Sequence, residues 1–367
     1  MSTVVDGQSY VIGYVSSPHP HGPLHVKTLD ALPEIEAVRF CGIEGEDIES
    51  IAAETAKTKS TTACLQDLLA HDDLDALMVC VRNDLCPAVL EAAVDAGLPV
   101  LFEKPGAIRA ADLRQVADRA RTSGITLGAM YQNRGNPIMA AVRDARQKGA
   151  LGSVMAVEAR MVSSQVRYRD PSHWLFGKKT AGSGILSWLA CHYIDLLCYL
   201  MDDRIAEVTA ITATQNSEAI EVEDTACLAF RFAGGALGTL NAGYHLSGSQ
   251  SGYTGAAYDT FVALRGTDGH VRIPLSSGSG YSLFSIAPGW ASGGMQEHRY
   301  EPAQSPAYGG VTGEEFVEAF LAAARMGSPA PATVEDAVHV LDVIEAALES
   351  SKTGRLVKVK ASGVGRS

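Results

Sequence analysis

Strand-like and helix-like stretches alternate through roughly the first 130 residues, and this alternation constrains the fold more than any other feature of the chain. Residues 10–13 form a short apolar run ending in Gly13. A helix-period stretch follows, with Leu24, Leu29 and Leu32 on one side and Pro33 closing it. Residues 36–41 give a second strand, residues 47–57 an amphipathic helix, and residues 76–81 a third strand that is apolar throughout. A strand covered on both faces by crossover helices has that composition. A helix over 87–96 capped by Gly97, a fourth strand over 99–103, a helix over 110–123 and a short strand over 126–130 complete the set. Repeated β-α-β units with short connections specify a doubly wound parallel sheet, so residues 1–130 are expected to form a Rossmann domain.

After Tyr131 the pattern changes. A helix is expected from 137 to about 148, then strands over 154–162, 205–214, 225–232, 238–244, 260–265 and 270–273. A long apolar helix over 184–201 interrupts them. Residues 276–310 are rich in Gly and Ser and are expected to be loop. Helices over 313–325 and 334–350 and a strand over 355–359 close the chain. The expectation for 131–367 is an α+β domain with a large, mostly antiparallel open sheet, its last helices able to pack back on the N-terminal domain.

Composition narrows the function classes. Lys and Arg total 30 against 42 Asp and Glu, a formal charge of −12, and no stretch is dense in Lys or Arg. A duplex nucleic-acid binder needs a basic face, so nucleic acid is excluded as a partner. No run of the ~18–20 apolar residues that span a bilayer is evident, and the first ten residues lack the charged and apolar regions of a secretory signal. The seven cysteines include no Cys-x-x-Cys pair. They are expected to be reduced core thiols of a cytoplasmic protein.

In a doubly wound sheet, ligands bind at the carboxyl ends of the strands. After Gly13 the chain reads Tyr-Val-Ser-Ser-Pro-His-Pro-His-Gly, where a dinucleotide loop would read Gly-x-Gly-x-x-Gly. Gly13, Ser16, Ser17 and His21 are the candidates for holding phosphate there. At the end of the second strand, Gly42 takes the usual acidic place, but Glu44, Glu46 and Asp47 follow; they would repel a 2′-phosphate and favour NAD over NADP. His19, His21 and His25 invite a metal reading. Pro18 and Pro20 are expected to extend that stretch and point His19 and His21 apart, with no acidic partner near, so no metal is expected. Glu103 and Lys104 follow a buried strand, which sets Lys104 at the sheet edge, able to polarise a substrate oxygen. His192 and Asp195 lie three apart on one helix, the pattern of a carboxylate-oriented acid/base or of a satisfied core histidine.

Taken together, Glu103-Lys104-Pro105, the stretch from Tyr131 through Gln132 and Arg134 to Pro137, His173-Trp174, and Gly182-Ser183-Gly184 followed by His192 and Asp195 resemble the Gfo/Idh/MocA oxidoreductase family. The run from Glu315-Phe316 through Pro331 and Glu335-Asp336-Ala337 to Thr353-Gly354-Arg355 is similar to its C-terminal part. The resemblance implies NAD-dependent hydride transfer at a secondary alcohol of a sugar or cyclitol, with Lys104 and His192 as catalytic residues. It implies cofactor contacts by Gly13, Ser16, Ser17, His21, Glu44, Glu103 and Lys104. Substrate contacts would come from Tyr131, Arg134, Trp174, Trp188, His192, Asp195 and Tyr244, and the protein would be a homodimer or homotetramer. The family commonly carries Asp four residues before its histidine; this chain carries Trp188. An NAD-assisted glycoside-cleaving enzyme and a non-catalytic sugar-binding relative are the alternatives. Arg134, Arg167, Arg169, His173 and Lys178 would together suit an anionic sugar, but they are first expected to pair with the chain's many acids.

Overall fold

The computed structural model describes residues 9–248, 255–276, 280–290, 294–301 and 303–360. The chain divides into two compact units: residues 1–107, 111–135 and 302–334 form the first, and residues 108–110, 136–301 and 335–367 the second.

The first unit is built on β1 (Tyr10–Ser16), α1 (Gly22–Ala31), β2 (Ile35–Gly42), α2 (Ile48–Ala52), β3 (Thr58–Thr62), α3 (Leu65–Leu69), β4 (Ala76–Cys80), α4 (Cys86–Asp95), β5 (Val100–Phe102), α5 (Ala110–Ser123) and β6 (Leu127–Ala129). Its six strands are all parallel, in the order β3-β2-β1-β4-β5-β6. Two expectations are corrected here. The helix expected over 47–57 stops at Ala52, and Thr58–Thr62 forms an edge strand; Lys59, Ser60 and three threonines suit a half-exposed edge, and gave no apolar signal. The expected fourth strand is therefore the fifth. Gly13 also sits inside β1, paired with Arg39 and Leu77, and a Cβ there would come within 2.3 Å of Leu77 Cδ2. Its glycine is explained by strand packing, and the carboxyl end of β1 is Ser16. A Gly13→Ala protein is expected to lose about 1–3 kcal/mol from overpacking. A urea midpoint equal to wild type would show that Leu77 yields freely.

The second unit contains α6 (Pro137–Gln147), β7 (Val154–Ser164), α7 (Lys178–Ala181), α8 (Cys191–Met201), β8 (Ile205–Ala213), β9 (Thr225–Phe232), β10 (Leu237–Leu246), β11 (Tyr258–Gly266), β12 (Gly269–Pro274), β13 (Gly280–Ser285) and β14 (Gln296–Arg299). After α9 (Val311–Met326), which belongs to the first unit, the chain returns with α10 (Val334–Thr353) and β15 (Val357–Lys358). The nine strands run β14-β13-β12-β11-β7-β10-β9-β8-β15, antiparallel except for β7 with β10. Part of the expected loop over 276–310 is thus sheet, since β13 and β14 extend it past β12; residues 277–279, 291–293 and 302 lie outside the described residues. Strand β9 shows why this sheet has one covered face: Ala226, Leu228, Phe230 and Phe232 are buried while Cys227, Ala229 and Arg231 between them are exposed.

The expected long helix is also modified. Leu186–Ala190 is a π-turn leading into α8, so Trp188 does not keep a regular α-helical offset from His192. Gly182 takes φ +86°, and a Cβ on Gly184 would lie 1.9 Å from the Glu223 carbonyl, so the Gly-Ser-Gly spacing is set by the turn and by close packing. Residues from Lys178 to Met201 are long and apolar enough to cross a bilayer, contrary to the sequence expectation. Their most apolar window is 94% buried within the protein, which makes them a core helix.

Candidate functional site

In the first unit, β1, β4 and β5 end together where the strand order reverses, the place where open parallel sheets bind ligands. The turn from Ser17 to His21 joins β1 to α1. Ser16 Oγ donates to the Glu46 carboxylate at 2.9 Å, and the Arg82 amide donates to Ser17 Oγ at 3.0 Å. A Cβ on Gly22 would stand 3.3 Å from Ser16 Oγ, so glycine lets the first turn of α1 close against the strand end. Glu44, at φ +53°, lies beyond β2, and Arg82 nearby is held bidentate by Asp84 at 3.0 and 2.8 Å.

Strand β5 delivers Glu103 and Lys104, both almost fully buried. Glu103 Oε1 accepts from His21 Nδ1 at 3.0 Å and His25 Nε2 at 2.8 Å, and Lys104 Nζ stands 3.9 Å from Oε2. The Tyr308 ring packs on His21 at 4.5 Å and edge-on to His25 at 4.9 Å, and its backbone amide is anchored on Thr28 Oγ1. The expectation that the histidines diverge without an acid is overturned. Instead of extending, the turn brings the rings of His19 and His21 to 5.1 Å, with the His21 amide donating to His19 Nδ1, and the acid arrives from 82 residues away.

Burial would raise the Glu103 pKa, but His21, Lys104 and His25 more than offset it and hold the carboxyl well below its ordinary range. Burial pushes His21 down to about 4, so at neutral pH it serves as a neutral N–H donor and Lys104 supplies the charge. One donor atom each of His19, His21 and Glu103 falls within 4.8 Å of the others, close enough to share a cation. Oε1 already accepts from two imidazoles, and Oε2 faces the Lys104 ammonium at 3.9 Å, which opposes a further positive charge. The arrangement is a hydrogen-bonded cluster.

The pH dependence has a definite sign. Because His21 binds its proton more weakly folded than unfolded, stability is full above pH ~6.5 and falls as pH drops toward about 4. The loss from this group is on the order of 3 kcal/mol. Urea midpoints at pH 7 and 4.5 test it; equal values would mean that His21 protonates without cost.

In the second unit, Glu223 Oε1 accepts from the amides of Gly184 and Leu186, giving the start of the π-turn a buried carboxylate cap. Trp188, His192 and Asp195 follow, all buried. Trp174 meets Trp188 edge-on at 6.3 Å, and Phe176 meets Tyr244 at 5.9 Å. Tyr244 is buried, and the Arg169 guanidinium lies 4.7 Å above its ring. Tyr131 and Arg134 belong to the first unit, both buried, with Arg134 Nη1 donating to the Pro331 carbonyl at 3.1 Å. The expected pairing of Arg167, Arg169 and Lys178 with acids is not found among the described residues: Arg167 lies over Tyr168, and Arg169 holds serine hydroxyls. Glu223 and Tyr308 were not singled out as site residues on sequence grounds. Tyr308 sits in a Gly/Ser-rich stretch, and nothing near it in the chain points to histidines 280 residues earlier.

Residues 10–131 match the model of an oxidoreductase family with an NAD-binding Rossmann fold, and residues 139–272 match the GFO/IDH/MocA C-terminal domain. The chain is 27% identical to the 1,5-anhydro-D-fructose reductase of Ensifer adhaerens over 260 residues, 67% of this chain and 77% of that one. It is 22% identical to the inositol 2-dehydrogenase of Rhizobium meliloti over 349 residues, 92% of this chain and 96% of that one. Among solved structures, a levoglucosan dehydrogenase in complex with NADH and L-sorbose superposes with a TM-score of 0.86 at 19% identity, covering 97% of this chain and all of that one. An oxidoreductase domain protein from Kribbella flavida gives 0.85 at 22%, with the same coverage.

Proposed function

Because the chain belongs to the Gfo/Idh/MocA family of oxidoreductases, we propose that it moves a hydride between NAD and a secondary alcohol of a sugar, sugar derivative or cyclitol in the cytoplasm. The observation that carries this reading is Lys104, a buried ammonium at the carboxyl edge of β5 beside the switch point of the sheet. A buried lysine beside a buried carboxylate at the carboxyl end of a parallel strand is a candidate for holding a reacting oxygen.

The residues present fit a dinucleotide. Gly22 leaves the close approach that phosphates need, Ser16 and Ser17 offer hydroxyls, and Glu44 and Glu46 lie where ribose hydroxyls would be taken. The phosphate loop departs from the usual pattern, because Pro18, Pro20 and Pro23 have no N–H to donate. NAD supplies the hydride acceptor. Lys104 steadies the substrate oxygen, and His192 takes its proton. Asp195 orients the imidazole. Trp188, standing where the family has Asp, leaves proton transfer to Lys104 and His192 and offers an apolar face to a sugar ring.

The acidic end of β2 should favour NAD over NADP by at least about tenfold, since a 2′-phosphate would face Glu44 and Glu46 while Arg82 is engaged by Asp84. Fluorescence titration with the four dinucleotides measures this; tighter NADP binding would overturn it. The function itself is tested by mass spectrometry of nucleotide released on denaturation, then NADH formation across a panel of sugars, cyclitols and glycosides. No dinucleotide, or no NADH from any alcohol, would sink the proposal. Glycoside cleavage that needs NAD without consuming it would shift it to transient oxidation. Self-association, as a dimer or tetramer, would use the outer sheet face, where Ile211 is 74% and Leu237 50% exposed.

A further inference from the structure

We propose that Arg169 is an anion-binding residue of the substrate site, and that the preferred sugar carries an acidic substituent. This rests on the oxidoreductase reading above and deepens it.

In a chain of net charge −12, many arginines find carboxylates: Arg39 takes Asp73, Arg82 takes Asp84, Arg143 takes Asp202, Arg160 takes Asp259 and Arg265 takes Glu158. Arg169 is half-buried and has no carboxylate among the described residues. Its Nη2 is spent on Ser163 Oγ at 3.0 Å and Ser164 Oγ at 3.3 Å, the Tyr244 ring supports its face, and Nε is buried without an acceptor. The Nη1 edge is left as the one that can bind. Two hydroxyls and a ring orient a guanidinium without neutralising it, which is the preparation a site makes for an anion brought by a ligand.

The position connects this cation to the chemistry. Tyr244 lies close enough to Arg169 and Cys191 to feel both, and Cys191 directly precedes His192. From the same tyrosine, Phe176 leads to Trp174 and Trp174 to Trp188, aromatic faces suited to the C–H side of a sugar ring. Tyr244 also lines an open cleft of roughly 360 Å³ with Gln165, Arg167, Asn216 and the acidic Glu218, within the size range of small-molecule sites; Arg169 stands behind this lining, against the Tyr244 ring. Arg167 there adds a second cation with no acid partner among the described residues. A planar carboxylate, as on a hexuronate, matches a guanidinium edge best; a sulfonate would present the same anionic oxygens.

The test titrates full-length protein calorimetrically with a hexuronate, a sulfonated hexose and the parent neutral hexose, comparing wild type with Arg169→Gln and Arg169→Lys. Expected is binding of at least one acidic sugar, weakened roughly 10- to 150-fold in Arg169→Gln relative to any change for the neutral hexose, and partly kept in Arg169→Lys. Which acidic sugar binds tells carboxylate from sulfonate. Equal affinity for neutral and acidic sugars in wild type, no binding of either acid, or equal weakening of acidic and neutral sugars in Arg169→Gln would each overturn the proposal. Calorimetry needs no turnover, so failure of this inference is separate from failure to reduce NAD. Where NADH does form, the same variants should raise KM for the acidic sugar far more than they change kcat.

Discussion

Replacing Lys104 by methionine is expected to lower kcat for NADH formation by about 10²- to 10⁴-fold while NAD binding persists. Methionine keeps the length and apolar stem of lysine, so the β5 edge stays filled and only the ammonium is removed. A group that acts on the reacting oxygen stabilises the transition state more than the bound substrate, so its loss appears in kcat and not only in KM. General acid–base and polar contributions of one side chain typically span that range. His192→Asn should fall in the same range, and the double variant should lose much less than the product of the two single losses, because the two residues would serve one proton transfer. Stopped-flow single turnovers beside NAD titrations separate the step from binding. A Lys104→Met protein that turns over within a few-fold of wild type would remove Lys104 from the chemistry and leave it as a buried partner of Glu103.

The residues that made this prediction possible were legible in the sequence for physical reasons. Strand β4 is apolar at every position, because it is covered on both faces, and the parallel sheet followed from it and its neighbours. Lys104 was found because a polar pair directly after a buried strand has one place to go. Strand β3 was missed because an edge strand of Lys, Ser and Thr has no apolar alternation to detect. Gly13 was misplaced because a glycine after an apolar run looks like a turn, whereas here it makes room for Leu77. The cluster around Glu103 could not be read at all. It joins residues 78 and 82 positions apart, and the proline-spaced histidines suggest extended backbone where the chain turns. Short-range spacing carries no information about such a meeting. That Arg167 and Arg169 have no acid partner among the described residues was equally hidden, since a sequence lists charges without saying which ones meet.

That cluster gives the second large effect, this time on stability. Glu103→Leu is expected to destabilise the first unit by about 3–5 kcal/mol, because it removes a buried carboxylate from beside Lys104 and strips the acceptor from His21 and His25. Glu103→Gln should cost less: the amide oxygen can still accept from one imidazole, but the charge beside Lys104 is gone. The two variants separate the parts of the interaction. If hydrogen bonding dominates, Gln will recover most of the loss at all pH values. If charge dominates, Gln will resemble Leu, and adding Lys104→Met to Glu103→Leu will restore stability, since an apolar pair of similar volume can replace a buried ion pair. The folded carboxyl has a depressed pKa, so its stabilisation is present above pH ~4.5 and is lost as pH falls through the lower folded value. Glu103→Leu removes that loss, and because Glu103 raises the His21 pKa, the variant's His21 decline starts near pH ~6.5 and extends below about 4, alongside that of His19, which burial also holds below its ordinary value. Urea unfolding of the four proteins between pH 7 and 4 reads both terms. A Glu103→Leu protein as stable as wild type at pH 7, with Lys104 unchanged, would mean that the Glu103 carboxylate contributes nothing net to holding Lys104 in the folded state, and the charge-dominated account of the cluster would fall with it.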